Sequence, residues 1–295
     1  MLYDVTLTID YTYGAVSDRT RNILRLLPSD VSEVQQVRRR LLEITPRPDE
    51  RLDRKDFFGN ETTAVAWHQP ISAVSLKLTA QIQRQPQARA LDLSPGLEQL
   101  RRDVAAVHAL TPDAPHHFTD GSPLVGPMKA TTDYARALLK PGMTALQAVE
   151  MLGHALHKDM TFDPEATTVD TPASEAFENR HGVCQDFAHV MIAALRGIGV
   201  PAGYVSGFLR TFPPPGQPRL EGADAMHAWV RAWVGPEMGW IEFDPTNDQY
   251  AGADYIVVGY GRDYSDVAPV RGALRSAGGQ ESSQAVDVIP LEKAG

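Results

Sequence analysis

Residues 182–209 read GVCQDFAHVMIAALRGIGVPAGYVSGFL. Gly182 closes one helical stretch, and Phe187, Met191 and Leu195 then recur at helical spacing, so a second helix starts near Cys184. Beyond Pro201 the run from Tyr204 to Leu209 reads as a strand. Positions 184, 187, 191 and 195 share one helical face, which points the thiol along the packed side toward the strands that follow. A thiol at a helix N-terminus meets unpaired N–H groups and the positive end of the dipole, which favour the thiolate. Asp186 in the same turn works against that. Cys184 is the single cysteine of 295 residues, so a disulfide framework and a cysteine-rich zinc site are both excluded. Taken locally, a lone thiol is also what a small buried hydrophobe looks like.

Downstream, His227-Ala-Trp-Val-Arg-Ala-Trp-Val234 alternates with His227, Trp229, Arg231 and Trp233 on one face. The chain turns at Gly235-Pro236-Glu237-Met238-Gly239 and returns as Trp240-Ile-Glu-Phe-Asp244. One register sets His227 directly opposite Asp244, and the other sets it opposite Thr246, diagonal to Asp244 on the same face. Imidazole and carboxylate are neighbours in either case. A carboxylate accepting from one ring nitrogen fixes the tautomer and leaves the other nitrogen to take a thiol proton. A helix with a cysteine, then strands with a histidine and an aspartate, is the order nucleophilic catalysis needs. A plain pairing within a sheet is the competing reading.

Farther out, Tyr3, Val5, Leu7, Ile9 and Tyr11 alternate with polar residues, as do Val74, Leu76, Leu78, Ala80 and Ile82. With shorter β-like runs near 22–27, 37–44 and 62–67, residues 1–90 are expected to form an N-terminal antiparallel β domain. The run Arg38-Arg39-Arg40 is expected on a solvated strand edge. Helical spacing begins at Leu97, Leu100, Val104 and Val107, and Thr144 with Gln147 predicts a capping box. A further helix is expected from Thr171-Pro172 to Gly182. Helices followed by strands make residues 91–272 an α+β domain. Residues 273–295 are small and polar with little periodicity, and are expected as a weakly ordered C-terminal tail.

The segments at 182–209, 224–234 (DAMHAWVRAWV), 239–248 (GWIEFDPTND) and 258–272 (VGYGRDYSDVAPVRG) together resemble the core of the transglutaminase-like superfamily, in its bacterial branch with an N-terminal β domain. That resemblance implies a papain-like α+β core and a Cys-His-Asp triad at Cys184, His227 and Asp244. Gly203 and Phe208 depart from it, standing where arginine and tyrosine are common in the family.

Other residues are weighed against simpler roles. His189 lies about 140° around the helix from Cys184 and is expected in packing. His154 and His157, and His116 and His117, have no acidic or cysteine partner nearby in sequence, so no metal site is expected. Trp229, Trp233 and Trp240 are expected in core packing before cleft lining. Arg262 and Asp266 are expected to form a local salt bridge, and no calcium loop is visible.

The expected function is therefore cysteine-dependent acyl transfer on amide bonds of a protein or peptide substrate. Hydrolysis is favoured over cross-linking, because no device for excluding water is visible. A non-catalytic scaffold of the same fold is the alternative. An arylamine acetyltransferase type of enzyme would use acetyl coenzyme A, for which no phosphate-cradling glycine loop is seen; no cofactor is expected. A net charge of −9 opposes a polyanion-binding surface, so no nucleic-acid partner is expected. No stretch approaches the length of apolar chain a membrane span needs, and the N-terminus has no basic region leading into an apolar run. A soluble, cytoplasmic protein without a membrane partner is expected.

Overall fold

The structure, a computed structural model, describes residues 1–17, 19–85, 91–212, 220–275 and 279–291. The chain opens with six strands: β1 (Leu2–Ser17), β2 (Arg19–Leu24), β3 (Gln35–Thr45), β4 (Glu50–Lys55), β5 (Glu61–Trp67) and β6 (Ile71–Arg84). Helix α1 (Leu97–Ala106) leads through a 3-10 turn at Pro115–Phe118 to α2 (Lys129–Leu138) and α3 (Ala145–Asp159). The short strand β7 (Thr161–Phe162), α4 (Ala173–Asn179) and β8 (His181–Gly182) precede the central helix α5 (Cys184–Gly197). Strands β9 (Ala202–Leu209), β10 (Ala225–Trp233), β11 (Trp240–Asp244), β12 (Gln249–Tyr250) and β13 (Tyr255–Gly261) follow. The last elements are α6 (Tyr264–Val267), β14 (Val270–Arg275) and β15 (Gln280–Leu291).

In the N-terminal half, two four-stranded antiparallel sheets, β15-β1-β6-β3 and β14-β2-β5-β4, share one core. The period-two pattern decides which residues enter it. Tyr3, Val5, Leu7 and Ile9 of β1 are buried, as are Val74, Leu76, Leu78, Ala80 and Ile82 of β6, while their polar neighbours face out. Leu7 lies opposite Leu78 across the pair. Arg38, Arg39 and Arg40 fall on β3, which is an edge strand of its sheet.

The C-terminal stretch differs from its expectation as a tail. β15 runs antiparallel along β1 from Leu2–Leu291 to Tyr13–Gln280, and β14 pairs with β2. Residues 292–295 lie outside the described residues. The first six residues of β15 are exposed on both faces, and only Val286 and Val288 are buried. Such a strand has no hydrophobic period of its own, and its backbone is satisfied by an edge supplied from the far end of the chain. Residues 270–275 and 280–291 thus complete the N-terminal sheets.

The second core surrounds α5. Every residue from Gln185 to Leu195 is buried, as expected of a helix that is apolar nearly all round. Helices α2, α3 and α4 pack on it, and β9 and β10 cover the remaining side. The capping box of α3 forms as read, with Thr144 Oγ1 accepting from the Gln147 amide and Gln147 Oε1 accepting from the Thr144 amide, both at 3.2 Å. The helix expected to reach Gly182 stops sooner. Arg180 takes the left-handed conformation that ends α4, its guanidinium 3.9 Å from the Phe177 ring centroid. Gly182 serves another purpose, because a Cβ there would meet Asp186 Oδ2 at 2.5 Å.

The sheet behind α5 has the order β12-β11-β10-β9-β13. Val230 pairs with Phe243 and Trp233 with Trp240, so continuing the register sets His227 opposite Thr246. This is the second of the two expected registers, with Asp244 on the diagonal.

Candidate active site

Cys184 is the first residue of α5 and is partly exposed. The preceding pair His181-Gly182 lies parallel to Thr161-Phe162, which fixes the path into the helix. Asp186 then locks the first turn, with Oδ2 accepting from the Val183 amide at 2.8 Å and from Thr167 Oγ1 at 2.6 Å. Burial pushes the Asp186 carboxyl above its ordinary range, against those hydrogen bonds and the His181 charge.

His227 and Asp244 meet as the hairpin register requires. His227 Nε2 donates to Asp244 Oδ2 at 2.7 Å, with the imidazole 8% exposed and the carboxylate fully buried. Asp244 is saturated by further donors. Oδ2 also accepts from Asn247 Nδ2 and from the Tyr255 hydroxyl, each at 2.7 Å, and Oδ1 accepts from the backbone amides of Thr246 and Asn247 at 2.8 and 3.3 Å. Gln249 Nε2 donates to the Tyr255 oxygen at 2.8 Å.

Burial alone would lower the His227 pKa. Hydrogen bonds to Asp244 and Cys184, and the charges of both, outweigh it and push the imidazole up to about 10. The structure therefore brings all three sequence-derived residues together, with the Cys184 side chain acting on the ring whose Nε2 Asp244 holds. Burial raises the Asp244 carboxyl too, but His227, Asn247 and Tyr255 hold it below the ordinary carboxylate range. Burial and the Asp244 charge push the Tyr255 phenol well upward, which keeps it a donor.

Asn247 and Tyr255 escaped the sequence reading. Asn247 lies inside the segment at 239–248 and had a visible position without a visible role. Tyr255 reaches the site only because β13 is placed beside β9.

The remaining candidates take simpler places. His189 is buried, accepts from the Tyr264 amide at Nε2 (3.1 Å), and is pushed down to about 4 by burial. His154 donates to the Asp248 carboxylate, and His157 Nδ1 donates to the Thr246 carbonyl at 2.9 Å. Both histidines thus tie α3 to the loop after Asp244. His117 packs edge-on against Phe57. Trp229 is fully buried and donates to Glu242 Oε2 at 2.7 Å, while Trp240 donates to the Asp113 carbonyl at 2.8 Å. Arg262 makes a two-point ion pair with Asp266 at 2.9 and 3.0 Å. Among the described residues no group of three or more His, Cys, Asp or Glu is placed to hold a metal.

The two departures from the family pattern also find their setting. A Cβ at Gly203 would meet Phe118 Cδ1 at 2.9 Å and the Gly261 carbonyl at 2.8 Å. Opposite it, the Arg231 guanidinium lies 4.5 Å from the ring centroids of Phe118, Trp240 and Tyr260. Phe118 fills the space a longer side chain at 203 would need. Phe208 is buried in the core of the N-terminal sheets.

Comparison with known proteins agrees with this architecture. The Transglutaminase-like superfamily matches residues 132–245, and the Bacterial transglutaminase-like N-terminal region matches residues 3–83. An uncharacterised protein of Mycobacterium tuberculosis is 33% identical over 304 residues, covering 98% of this chain and 93% of that protein. A protein-glutamine gamma-glutamyltransferase of Pseudomonas aeruginosa is 35% identical over 120 residues, 38% of this chain and 18% of that protein. The crystal structure of a candidate cysteine protease from Cytophaga hutchinsonii superposes with a TM-score of 0.76 at 21% identity, covering 99% of this chain and 92% of that one. The chain belongs to the transglutaminase-like superfamily. Its fold is an α+β core of that type preceded by antiparallel β-sheets.

Proposed function

We propose that the chain is a cysteine-dependent acyl-transfer enzyme acting on amide bonds of protein or peptide substrates, with Cys184, His227 and Asp244 as its triad. The observation that carries this reading is the buried 2.7 Å bond from His227 Nε2 to Asp244, made by the same ring on which the Cys184 side chain acts. The Cys184 sulfur, having given its proton to His227, attacks the amide carbonyl carbon. His227 returns the proton to the departing amine as the C–N bond breaks, leaving an acyl thioester on Cys184. Asp244 keeps the imidazole in its tautomer, and the Cys184 backbone N–H, free at the first turn of α5, donates to the carbonyl oxygen as charge builds there.

Water as acceptor makes the enzyme a peptidase or amidase, and an amine makes it a transglutaminase. Hydrolysis is the simpler outcome at a partly exposed thiol. Similarity of the catalytic part to a protein-glutamine gamma-glutamyltransferase supports the amine as the second reading. Incubation with a library of glutamine-containing peptides and simple amides, with and without a primary amine, followed by mass measurement on Cys184, tests both. The expected result is an acyl adduct on Cys184 that is absent in Cys184→Ala and discharged by water or by the amine. No adduct from any donor, on a folded protein, supports a scaffold instead.

A further inference from the structure

β13 is one of the two edge strands of the five-stranded sheet, and an edge strand presents backbone N–H and C=O groups that must be satisfied from elsewhere. Here the partners come from the N-terminal β domain. Gln35 Oε1 accepts from the Val257 amide at 2.9 Å while its Nε2 donates to the Val257 carbonyl at 2.7 Å. Asn60 repeats the arrangement on Tyr260, accepting from the amide and donating to the carbonyl at 2.7 Å each. Each amide gives one residue the acceptor and donor that a neighbouring strand would give. A bulge between Val257 and Gly259 sets the outward-facing residues three apart, at 257 and 260. Gly259 leaves room, since a Cβ there would come within 2.9 Å of Asn60 Oδ1.

Two more contacts hold the approach to the same strand: Arg84 Nη2 donates to the Gly252 carbonyl at 3.1 Å, and the Tyr3 hydroxyl donates to Asp254 Oδ1 at 2.9 Å. Tyr3, Gln35, Asn60 and Arg84 are all at most 3% exposed. Ile256 and Val258 plug into the core of the N-terminal sheets, while Tyr255 and Val257 pack with Trp229 in a separate cluster. Residues 252–260 are thus gripped at four successive points by one domain, and Tyr255, among them, carries its hydroxyl to Asp244 Oδ2.

We propose that the N-terminal β domain is a brace for the catalytic sheet, in which Gln35 and Asn60 are positioning residues that hold β13 so that the Tyr255 hydroxyl stays on Asp244 Oδ2. Through Asp244 the brace fixes the His227 ring beside Cys184. This rests on the reading of Cys184, His227 and Asp244 as a triad.

The test uses the full chain. Cys184 is its single cysteine, so alkylation by iodoacetamide reports one thiol, and its rate is measured against pH for the parent, Gln35→Met, Tyr3→Phe, Tyr255→Phe and Leu42→Ala. Leu42 is buried in the N-terminal core and controls for general loosening. Gln35→Met and Tyr255→Phe are expected to shift the profile alike, changing the alkylation rate at neutral pH by about tenfold for each unit by which the imidazole pKa moves. Tyr3→Phe is expected to move it less in the same direction. Leu42→Ala is expected to lower Tm with the profile unmoved.

Profiles of Gln35→Met and Tyr3→Phe that superimpose on the parent's would overturn the brace. So would an equal shift from Leu42→Ala, or an unmoved profile in Tyr255→Phe. Should Gln35→Met not fold, Tyr3→Phe, which removes one hydroxyl, decides alone. A parent profile equal to that of a free thiol and indifferent to His227→Ala removes the triad reading itself, a result that none of the other outcomes resembles.

Discussion

Replacing Asp244 by asparagine separates charge from shape at the centre of the site. The asparagine side chain keeps the volume and can still accept one hydrogen bond, but it carries no charge and brings an NH2 group against donors already present at Asn247, Tyr255 and His227. In the parent, burial works to lower the His227 pKa, and Asp244 is the foremost of the groups that reverse this and lift it from 6.5 to about 10. Without the carboxylate, burial is opposed by Cys184 alone, and the His227 pKa is expected to fall from about 10. At a fixed pH the ratio of imidazolium to imidazole then falls about tenfold for each pKa unit lost. The sign follows from linkage. A raised histidine pKa gives stability that is fully present below 6.5 and is lost as pH rises through about 10, so the parent should lose more stability across that alkaline window than the variant. The assays are the His227 ring titration by NMR and the alkylation of Cys184 from pH 5 to 10. The parent should hold imidazolium through neutral pH, whereas in Asp244→Asn the ring should titrate at lower pH and alkylation at neutral pH should slow. Turnover of any substrate found for the parent should drop by about 10³ to 10⁴. A variant whose His227 still titrates near 10 would refute the reasoning, because the source of the raised value would then lie elsewhere.

Cys184→Ser changes one atom at nearly matched volume, so Tm should hold while acyl-adduct formation disappears; unfolding, or retained turnover, would make Cys184 a packing residue. Gly153→Ala puts a Cβ 2.2 Å from Phe243 Cε1 on the strand that ends in Asp244. Thermal or denaturant unfolding should show a loss of about 1–3 kcal/mol from overpacking, and an unchanged stability would mean that α3 and β11 are less closely packed than described. Asn247→Ala removes one of three donors on Asp244 Oδ2. Its Cys184 alkylation profile should change in shape with little change in Tm, and an unmoved profile would leave Asn247 as a loop residue.

What the sequence made legible was what short-range pattern controls. The alternation in β1 and β6 named the buried faces, Thr144 and Gln147 named a helix start, and one hairpin brought His227 and Asp244 within a single local motif. β4, all of whose residues are exposed, and the polar half of β15 carry no period, because their strand character comes from partners rather than from their own side chains. Tyr255 was equally silent. Its place depends on β13 lying beside β9, and that edge is satisfied by amides 222 and 200 residues away in sequence. No local pattern encodes a side chain that substitutes for a strand.

The geometry of the His227–Asp244 pair follows from sheet twist as much as from residue choice. Trp229 lies opposite Asp244 when the register of Val230 with Phe243 is continued, and Arg231 lies opposite Glu242. Yet the hydrogen bonds run on the diagonal: His227 to Asp244 and Trp229 Nε1 to Glu242, each at 2.7 Å. Both diagonals slant the same way. A right-handed twist shortens one set of diagonals and lengthens the other, so two successive N–H donors on β10 each reach the carboxylate two residues short of their direct partner on β11. A slip of one residue would send Asp244 to the face that carries Val230 and Phe243 against α5, where a carboxylate would be buried without partners. The register that brings Asp244 to His227 is therefore the register that the hydrophobic core around α5 enforces, and substitutions among Val230, Phe243 and Gly153 act on the proposed triad through that register.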